Sequence, residues 1–331
     1  MVPEMNFALM IPEFVLIAAG IVVLMLDAFL TRPGDDAEPR GALLGATLVG
    51  LLAAAAVIAL RSGADAGSSF EGLFVVDSFS DAIKLIVLGG TALCVLLCDT
   101  WLRNHRLASG AFFALVLFST TGMLYLASAT DMVMLFLGLE LMSIPMYCLS
   151  AALRWDDRSV EAGVKYLVLG SFATAVMLMG FALLYAFTGT EAGVVTTRLD
   201  LIGAAIVEAA AAGELPGYVY LGGLLALVGM LFKLSAVPFH MWTPDVYEGA
   251  PTAITAWMSV VVKTVTCAVL LRIFPTDLLG VLGLDHVLWF VAAATMFLGN
   301  TMALTQDNLK RLLAYASIAH GGYMLVAVLA G

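Results

Sequence analysis

The chain has 331 residues, of which 62% are hydrophobic and 12% are charged, and its formal net charge is −10. Soluble domains have about 45–50% apolar and about 25% charged residues, so this composition excludes a water-soluble globule and indicates no surface for nucleic acid. Apolar runs of about 20 residues recur between short polar loops, unlike the ten-residue alternation of a membrane barrel. We therefore predict an all-α, polytopic transmembrane helical bundle.

Taken in chain order, the apolar runs predict ten spans, at residues 7–30, 41–60, 78–98, 110–128, 131–152, 160–187, 218–238, 251–274, 286–304 and 311–330. The first run follows no basic segment and contains no small-residue cleavage site, so we predict that it is a retained span and not a signal peptide. Between spans six and seven, residues 199–212 place apolar side chains at helical spacing, which predicts a short surface helix.

No linker or low-complexity tract divides the sequence, so we predict a single integral membrane domain over residues 1–331. Within it we expect an N-terminal unit of three spans (1–109), a five-helix unit (110–274) and the start of a second unit (275–331). Asp131 marks the tight turn between spans four and five, and Asp307 marks that between spans nine and ten. Because these two pairs start on opposite sides of the membrane, we predict an inverted repeat that is incomplete here.

The basic residues outside the spans divide unequally between the two sides. If the spans alternate, three fall on the side of the amino terminus (Arg61, Arg198 and Arg272) and eight fall on the other (Arg32, Arg40, Arg103, Arg106, Arg154, Arg158, Lys310 and Arg311). Cytoplasmic loops carry the excess of Lys and Arg, so we predict that the amino terminus lies outside. The acidic residues Glu191, Asp200, Glu208 and Glu214 would then lie outside as well.

Two apolar helices with a polar break between them occupy residues 222–274, and each helix contains a lysine, Lys233 or Lys263. A lysine at mid-bilayer costs about 2.5–3.5 kcal/mol, so two in consecutive spans indicate a function such as a proton path. Pro238 and its polar neighbours predict a broken helix near residues 233–248. The backbone groups freed there need partners from protein or from water in a cavity.

Among the other ionisable residues inside the spans, Glu140 and Lys165 have two readings each. Glu140 is surrounded by apolar residues in span five, so it is either a protonated group bonded to a neighbouring helix or a carboxylate paired with a lysine of another span. Lys165 begins span six and either joins a proton path or snorkels to the cytoplasmic interface. Lys84 follows Asp81 by one turn, so we predict a snorkelling local pair without a role in the mechanism.

Two histidines fall in the membrane zone, and four cysteines lie within apolar spans. His240, in the broken segment, and His320, in the last span, are each either a proton shuttle or a hydrogen-bonded core residue. Cys94 and Cys98 are one helical turn apart, but no histidine lies beside them, so we predict no metal site.

Several segments together resemble a known family, the subunit N family of bacterial NADH-quinone oxidoreductase (respiratory complex I), which shares a superfamily with Mrp-type cation/proton antiporter subunits. In chain order the matching segments are LFLGLELMSIPMYCLSAAL, RSVEAGVKYLVLGSFATAVMLMGFALLYAFTGT, LFKLSAVPFHMWTPDVYEGAPTAITAW and DNLKRLLAYASIAHGGYM. FHMWTPDVYEGAPT is the most specific of them. The first hundred residues match in hydropathy more than in motif.

The resemblance implies a mid-membrane pair of Glu140 and Lys233, with Lys165, Lys263 and His240 on the same proton route; we add His320 as a candidate. It also implies a multi-pass subunit of the bacterial plasma (inner) membrane, in contact with lipid and with other membrane-arm subunits of complex I, including neighbouring antiporter-like ones. The five-helix unit is then the antiporter-like unit. No nucleotide-binding motif or ferredoxin-like cysteine run occurs, so we expect FMN, iron-sulfur clusters, NADH and quinone to be bound by other subunits.

The expected function is proton translocation driven by electron transfer from NADH to quinone. Two alternatives stay open: an antiporter subunit of the Mrp type, and a structural membrane-arm subunit whose buried charges only join helices. Family members have about fourteen spans by resemblance, so the second half-channel is expected to be incomplete in these 331 residues.

Overall fold

The computed structural model of the chain describes residues 6–30, 40–61, 67–105, 107, 109–190 and 195–331. Within these ranges, ten helices are long and apolar enough to cross a membrane. The prediction of an all-α polytopic bundle is therefore confirmed. Arg32, Arg106 and Glu191, which entered the prediction of membrane orientation, lie outside the described residues.

The helices and strands follow in chain order as α1 (Ile11–Leu30), α2 (Arg40–Arg61), β1 (Gly67–Ser69), β2 (Phe74–Val76), α3 (Ser78–His105), α4 (Ser109–Ser128), α5 (Met132–Ser150), α6 (Asp157–Thr190), α7 (Leu199–Ala212), α8 (Gly217–Leu234), α9 (Thr243–Gly249), α10 (Thr252–Trp257), α11 (Lys263–Ile273), α12 (Thr276–Val281), α13 (Leu284–Leu304) and α14 (Leu309–Ala330).

Most helix boundaries agree with the predicted spans to within a few residues. The surface helix α7 has the predicted bounds. α3 continues beyond residue 98 to His105, because the polar residues of its last turns remain helical outside the apolar run. The eighth span is not one regular helix, since a π-helical turn at Met258–Val262 separates α10 from α11. Such turns insert one residue into the helical ladder and are frequent at functional sites.

β1 and β2 form a short antiparallel hairpin at one end of the bundle, which we call the hairpin face. All three basic residues assigned by sequence to the side of the amino terminus are there. Arg198 donates to the Glu71 carbonyl at 2.9 Å, Arg272 pairs with Asp77 at 2.9 Å, and Arg61 donates to the Leu9 carbonyl at 2.7 Å. The observed alternation of the helices thus agrees with the predicted division of basic residues.

Two helices start from side-chain caps of the same kind. The Asp131 carboxylate accepts hydrogen bonds from the Val133 and Met134 amides at the start of α5. At the start of α14 the cap is Asn308, which accepts from the amides of Lys310 and Arg311. Sequence had singled out the neighbouring Asp307. The inverted repeat itself stays a prediction.

Glycines allow close approach of several helix pairs, and α6 with α8 is the clearest example. A Cβ added at Gly180 would lie 2.5 Å from the Ala226 nitrogen and 2.6 Å from the Gly222 carbonyl oxygen. Both atoms belong to backbone, so neither can rotate away.

Gly180→Ala is therefore expected to destabilise the bundle, by about 1–3 kcal/mol as an overpacking substitution. Thermal unfolding of the purified protein measures the effect. Gly45→Ala is the matched control, because a Cβ there meets no atom within 4 Å. That control should be neutral or slightly stabilising, since alanine is the better helix former. Equal melting temperatures for the two variants would contradict the close α6–α8 contact.

Candidate functional site: buried lysines beside a broken helix

The helix break follows Lys233 directly. α8 ends at Leu234, Ser235 takes a left-handed conformation with φ of 65°, and the helix resumes only at Thr243. Side chains satisfy part of the freed backbone: the Trp242 indole donates to the Phe232 carbonyl at 3.1 Å, and the Val237 amide donates to the Thr295 hydroxyl of α13 at 2.9 Å. The predicted break is confirmed, and its backbone is held partly by side chains of the protein.

Lys233 lies in a polar and aromatic box between α5, α6 and α8, and 4% of the residue is exposed. Its ammonium donates to the Ser143 hydroxyl at 2.7 Å and to the Tyr147 hydroxyl at 3.4 Å. It also lies 5.4 Å from the ring centroids of both Tyr147 and Tyr166. Hydroxyl oxygens and ring faces stabilise a buried cation without neutralising it.

Glu140 does not contact Lys233 directly, since no ion pair or hydrogen bond joins them among the described residues. Its carboxylate is near enough to act on Lys233 and on Tyr147 through its charge. One carboxylate oxygen, Oε1, is buried and has no hydrogen-bond partner in the described structure. Glu140 and Ser143 lie one turn apart on α5, so Ser143 shares a helix face with Glu140 and also contacts the lysine.

Lys263 is the first residue of α11 after the π-helical turn, and 1% of it is exposed. Its ammonium donates a short hydrogen bond to the Ser317 carbonyl of α14. The buried Ser317 hydroxyl faces the Tyr247 phenol of α9. Neither Lys233 nor Lys263 has an ion-pair partner among the described residues.

Gly321 connects the surroundings of the two lysines. A Cβ at this position would lie 3.0 Å from the Leu234 carbonyl oxygen at the end of α8 and 3.9 Å from the Lys263 ammonium nitrogen. The neighbouring His320 points the other way: it is exposed and lies against Tyr323, with ring centroids 5.6 Å apart. The described structure therefore does not bring His320 together with the lysines.

His240 lies in the broken segment after Pro238 and is half-buried. Its Nδ1 atom is buried and has no hydrogen-bond partner among the described residues. An imidazole nitrogen in this state can accept or release a proton without first losing a bond.

Lys165 belongs to a charged network at the end of the bundle opposite the hairpin, which we call the network face. Its ammonium lies 2.6 Å from both Glu161 and Asp245. Arg311 of α14 pairs with Asp245 and with Glu248, each at 2.9 Å. These side chains surround a cavity of about 230 Å³. The structure thus places Lys165 where α9 joins α6 and α14, away from the Lys233 box.

The charge of Asp245 holds this network together. Partial burial alone would raise the pKa of its carboxyl, but hydrogen bonds and charge from Lys165 and Arg311 outweigh burial, so the pKa is lowered. Asp245 is therefore ionised at neutral pH. Since Asp245 lies on α9, the network joins the end of the broken segment to α6 and α14.

Lys84 corrects a sequence prediction. It does not snorkel beside Asp81, because it is fully buried and pairs with the equally buried Glu13 of α1, at 2.7 Å. Asp81 pairs with Arg61 of α2 instead, also at 2.7 Å. The prediction was wrong because helical spacing identifies neighbours on one helix and cannot show that α1 brings a carboxylate to α3.

Sequence reasoning also missed the polar residues that surround the lysines. Ser143 and Tyr147 follow Glu140 by three and seven residues, and Gly321 follows Ser317 by four, so each set shares a helix face. That spacing was a usable signal.

The two neighbouring cysteines of α3, Cys94 and Cys98, are buried with their sulfur atoms 3.7 Å apart. No group of three metal-ligating residues occurs in the described ranges.

Ten apolar helices in the described residues, with ionisable side chains buried between them, make this chain a polytopic membrane protein. The family described as "NADH:quinone oxidoreductase/Mrp antiporter, TM" matches residues 129–331. The chain belongs to this family.

Two relatives are named NADH-quinone oxidoreductase subunit N. The protein of Trichlorobacter lovleyi is 39% identical over 98% of this chain, and that of Granulibacter bethesdensis is 41% identical over 99%. The chain spans 64% and 65% of the lengths of these relatives.

Solved structures show the same fold. A chain of respiratory complex I from Thermus thermophilus is 32% identical, with a TM-score of 0.76 over 96% of this chain and 64% of its own length. A chain of the Mrp complex from Dietzia sp. is 22% identical, with a TM-score of 0.78 over 98% of this chain and 34% of its own length. At that identity the Mrp likeness concerns the fold alone.

Proposed function

We propose that the chain forms the proton-translocating part of a membrane subunit of NADH-quinone oxidoreductase, and that electron transfer from NADH to quinone on other subunits drives it. One observation carries the proposal: two lysines in consecutive spans are almost fully buried on either side of a helix break, and both lack an ion-pair partner in the described structure. Two buried cations without a neutralising partner lower the stability of the bundle, and packing of the helices alone does not require them.

In this mechanism the charge of Glu140 controls whether Lys233 keeps its proton. When the Glu140 carboxylate is charged, it stabilises the Lys233 ammonium; when Glu140 is neutral, Lys233 releases its proton toward Lys263.

Other residues support this route. Because Gly321 has no side chain, α14 packs closely against the surroundings of both lysines, which keeps the path for buried water between them short. His240 lies beside the break as a shuttle. Lys165 positions α9 at the network face, and His320 takes no part in the described segment of the route.

The same proposal covers cofactors, partners and location. FMN, iron-sulfur clusters, NADH and quinone would bind other subunits, and the chain would contact lipid and other membrane-arm subunits, including neighbouring antiporter-like ones. The membrane would be the bacterial plasma membrane. An Mrp-type antiporter is the second candidate, supported by the shared family, but relatives near 40% identity carry the subunit N name.

Glu140→Ala tests the mechanism in the assembled complex. Without the carboxylate Lys233 is expected to lose its proton, so proton translocation and the coupled NADH–quinone activity should both fall while the complex still assembles. Glu140→Asp should keep much of the activity, because the charge is retained at slightly longer reach. Activity and assembly are measured together in membranes from both variants. Near-normal pumping by Glu140→Ala would remove Glu140 from the mechanism and favour a structural subunit.

We propose that the amino terminus and the hairpin face lie outside. In a background without cysteines, a single cysteine at Glu214 should be labelled by an impermeant thiol reagent from the periplasm, and one at Arg154 only from the cytoplasm. Both positions are exposed in the structure. Labelling of the two from the same side would overturn this orientation.

A further inference from the structure

The Glu13–Lys84 pair lies in the N-terminal three-span unit, outside the segment that the family matches. Both side chains have no exposed surface, and Phe74 of β2 covers the pair with its ring centroid 4.8 Å from the lysine nitrogen. The second carboxylate oxygen of Glu13, Oε2, is buried and has no hydrogen-bond partner among the described residues. A buried carboxylate oxygen without a partner is an acceptor site for a proton.

Charged and titratable groups face this pair from each neighbouring helix. The charge of Glu13 acts on the Tyr125 phenol of α4. The charges of Arg61 of α2 and Asp81 of α3 act on Lys84. Asp81 and Arg61 form their own ion pair at the edge, with side chains 11% and 9% exposed. Asp81 is therefore a partly exposed carboxylate that acts on the buried pair through its charge on Lys84.

We propose that Glu13 and Lys84 form a second proton-binding pair, which exchanges protons with the hairpin face through Asp81. This inference rests on the proposed function. Asp81 takes up a proton from the hairpin face and passes it to Glu13 Oε2; Asp81 is then again the carboxylate partner of Arg61, and Glu13 becomes a neutral carboxylic acid. Lys84 keeps its charge, which the ring of Phe74 stabilises, so the Glu13–Lys84 pair as a whole gains one positive charge. Release reverses these steps, and no electron moves.

Two opposing effects suit the pair to reversible binding. Complete burial disfavours a charged Glu13, whereas Lys84 at 2.7 Å favours it. Pairs in which burial and a nearby opposite charge act against each other are characteristic of proton-transfer sites. Ion pairs that only join helices are subject to the same two effects. The test must therefore separate binding of a proton from the joining of α1 to α3.

The double variant Glu13→Met/Lys84→Met makes this separation in the complete complex. Replacing a buried ion pair with apolar side chains of similar volume is often neutral or stabilising, so a merely structural pair would be replaced without loss of function. We expect an assembled complex that oxidises NADH but moves fewer protons per NADH than the wild type. Asp99→Asn is the matched control: it removes the carboxylate of the Asp99–Arg103 pair at the other end of α3 and should leave the ratio unchanged.

Infrared difference spectroscopy between acidic and alkaline pH gives a readout that does not depend on pumping. The wild type should show a carboxylic-acid C=O band that Glu13→Gln removes and Glu13→Asp shifts. If the double Met variant fails to assemble, the effect of Glu13→Gln on this band is the test of the proposal. A wild-type band that Glu13→Gln leaves unchanged, or an unaltered proton-to-NADH ratio in the double variant, would overturn the proposal.

The outcome is distinguishable from failure of the proposed function. If Lys263→Ala lowers the proton-to-NADH ratio and the double Met variant does not, only the second pair is rejected. If neither variant changes the ratio, the proposed function fails as well.

Discussion

Replacing Lys233 with arginine should reduce proton transfer by at least about 100-fold, the lower end of what a positioned proton-transfer group contributes. Arginine keeps the positive charge but does not release its proton at any physiological pH. Its planar guanidinium also does not match the box of Ser143, Tyr147 and Tyr166, which surrounds a compact ammonium. Coupled NADH–quinone activity in membranes measures the loss.

Lys233→Met is the companion variant, because it removes the charge and keeps a similar volume. We expect it to block transfer as completely as the arginine variant does. Loss in the methionine variant alone would mean that the site needs a positive charge and not a proton that moves.

Lys263→Met is expected to separate function from stability. The ammonium is buried without an ion-pair partner in the described structure, so removing it should leave stability unchanged or raise it, by up to about 3 kcal/mol on the scale of a mid-membrane lysine. Proton transfer should nevertheless be lost. Melting temperature and proton transfer are measured on the same preparation.

Lys84→Met is the matched control for stability. This lysine is equally buried but is paired, so its removal leaves Glu13 either uncompensated or forced to bind a proton, and should destabilise by up to about 3–5 kcal/mol, most at alkaline pH. If Lys263→Met destabilised the protein as much as Lys84→Met does, Lys263 would be a structural residue.

The spans could be predicted from the sequence because a run of about 20 apolar residues can hardly be anything but a membrane helix. The break after Lys233 was predictable for a similar local reason, since Pro238 cannot continue a helix. The π-helical turn before Lys263 was not predictable, because MSVVV has no residue that forces it and the packing around it decides the backbone.

Contacts between helices were the part that sequence could not supply. The spacing of Glu140, Ser143 and Tyr147 shows that they share a face of α5, but not that Lys233 contacts the second and third of them. In the same way, sequence gives no sign that Glu13 reaches Lys84 or that Asp245 reaches Lys165, since each pair joins residues more than 70 positions apart. His320 and Gly321 are adjacent, and only the packing of α14 shows which of them faces Lys263.

The most direct measurement is proton movement by the complete complex in proteoliposomes, recorded with a pH-sensitive dye while NADH oxidation is followed in the same sample. For Lys233→Arg we expect an assembled complex whose proton-to-NADH ratio falls below that of the wild type in every preparation. A ratio equal to that of the wild type, at equal NADH oxidation, would show that no proton has to leave Lys233 and would rule out proton transfer through this residue.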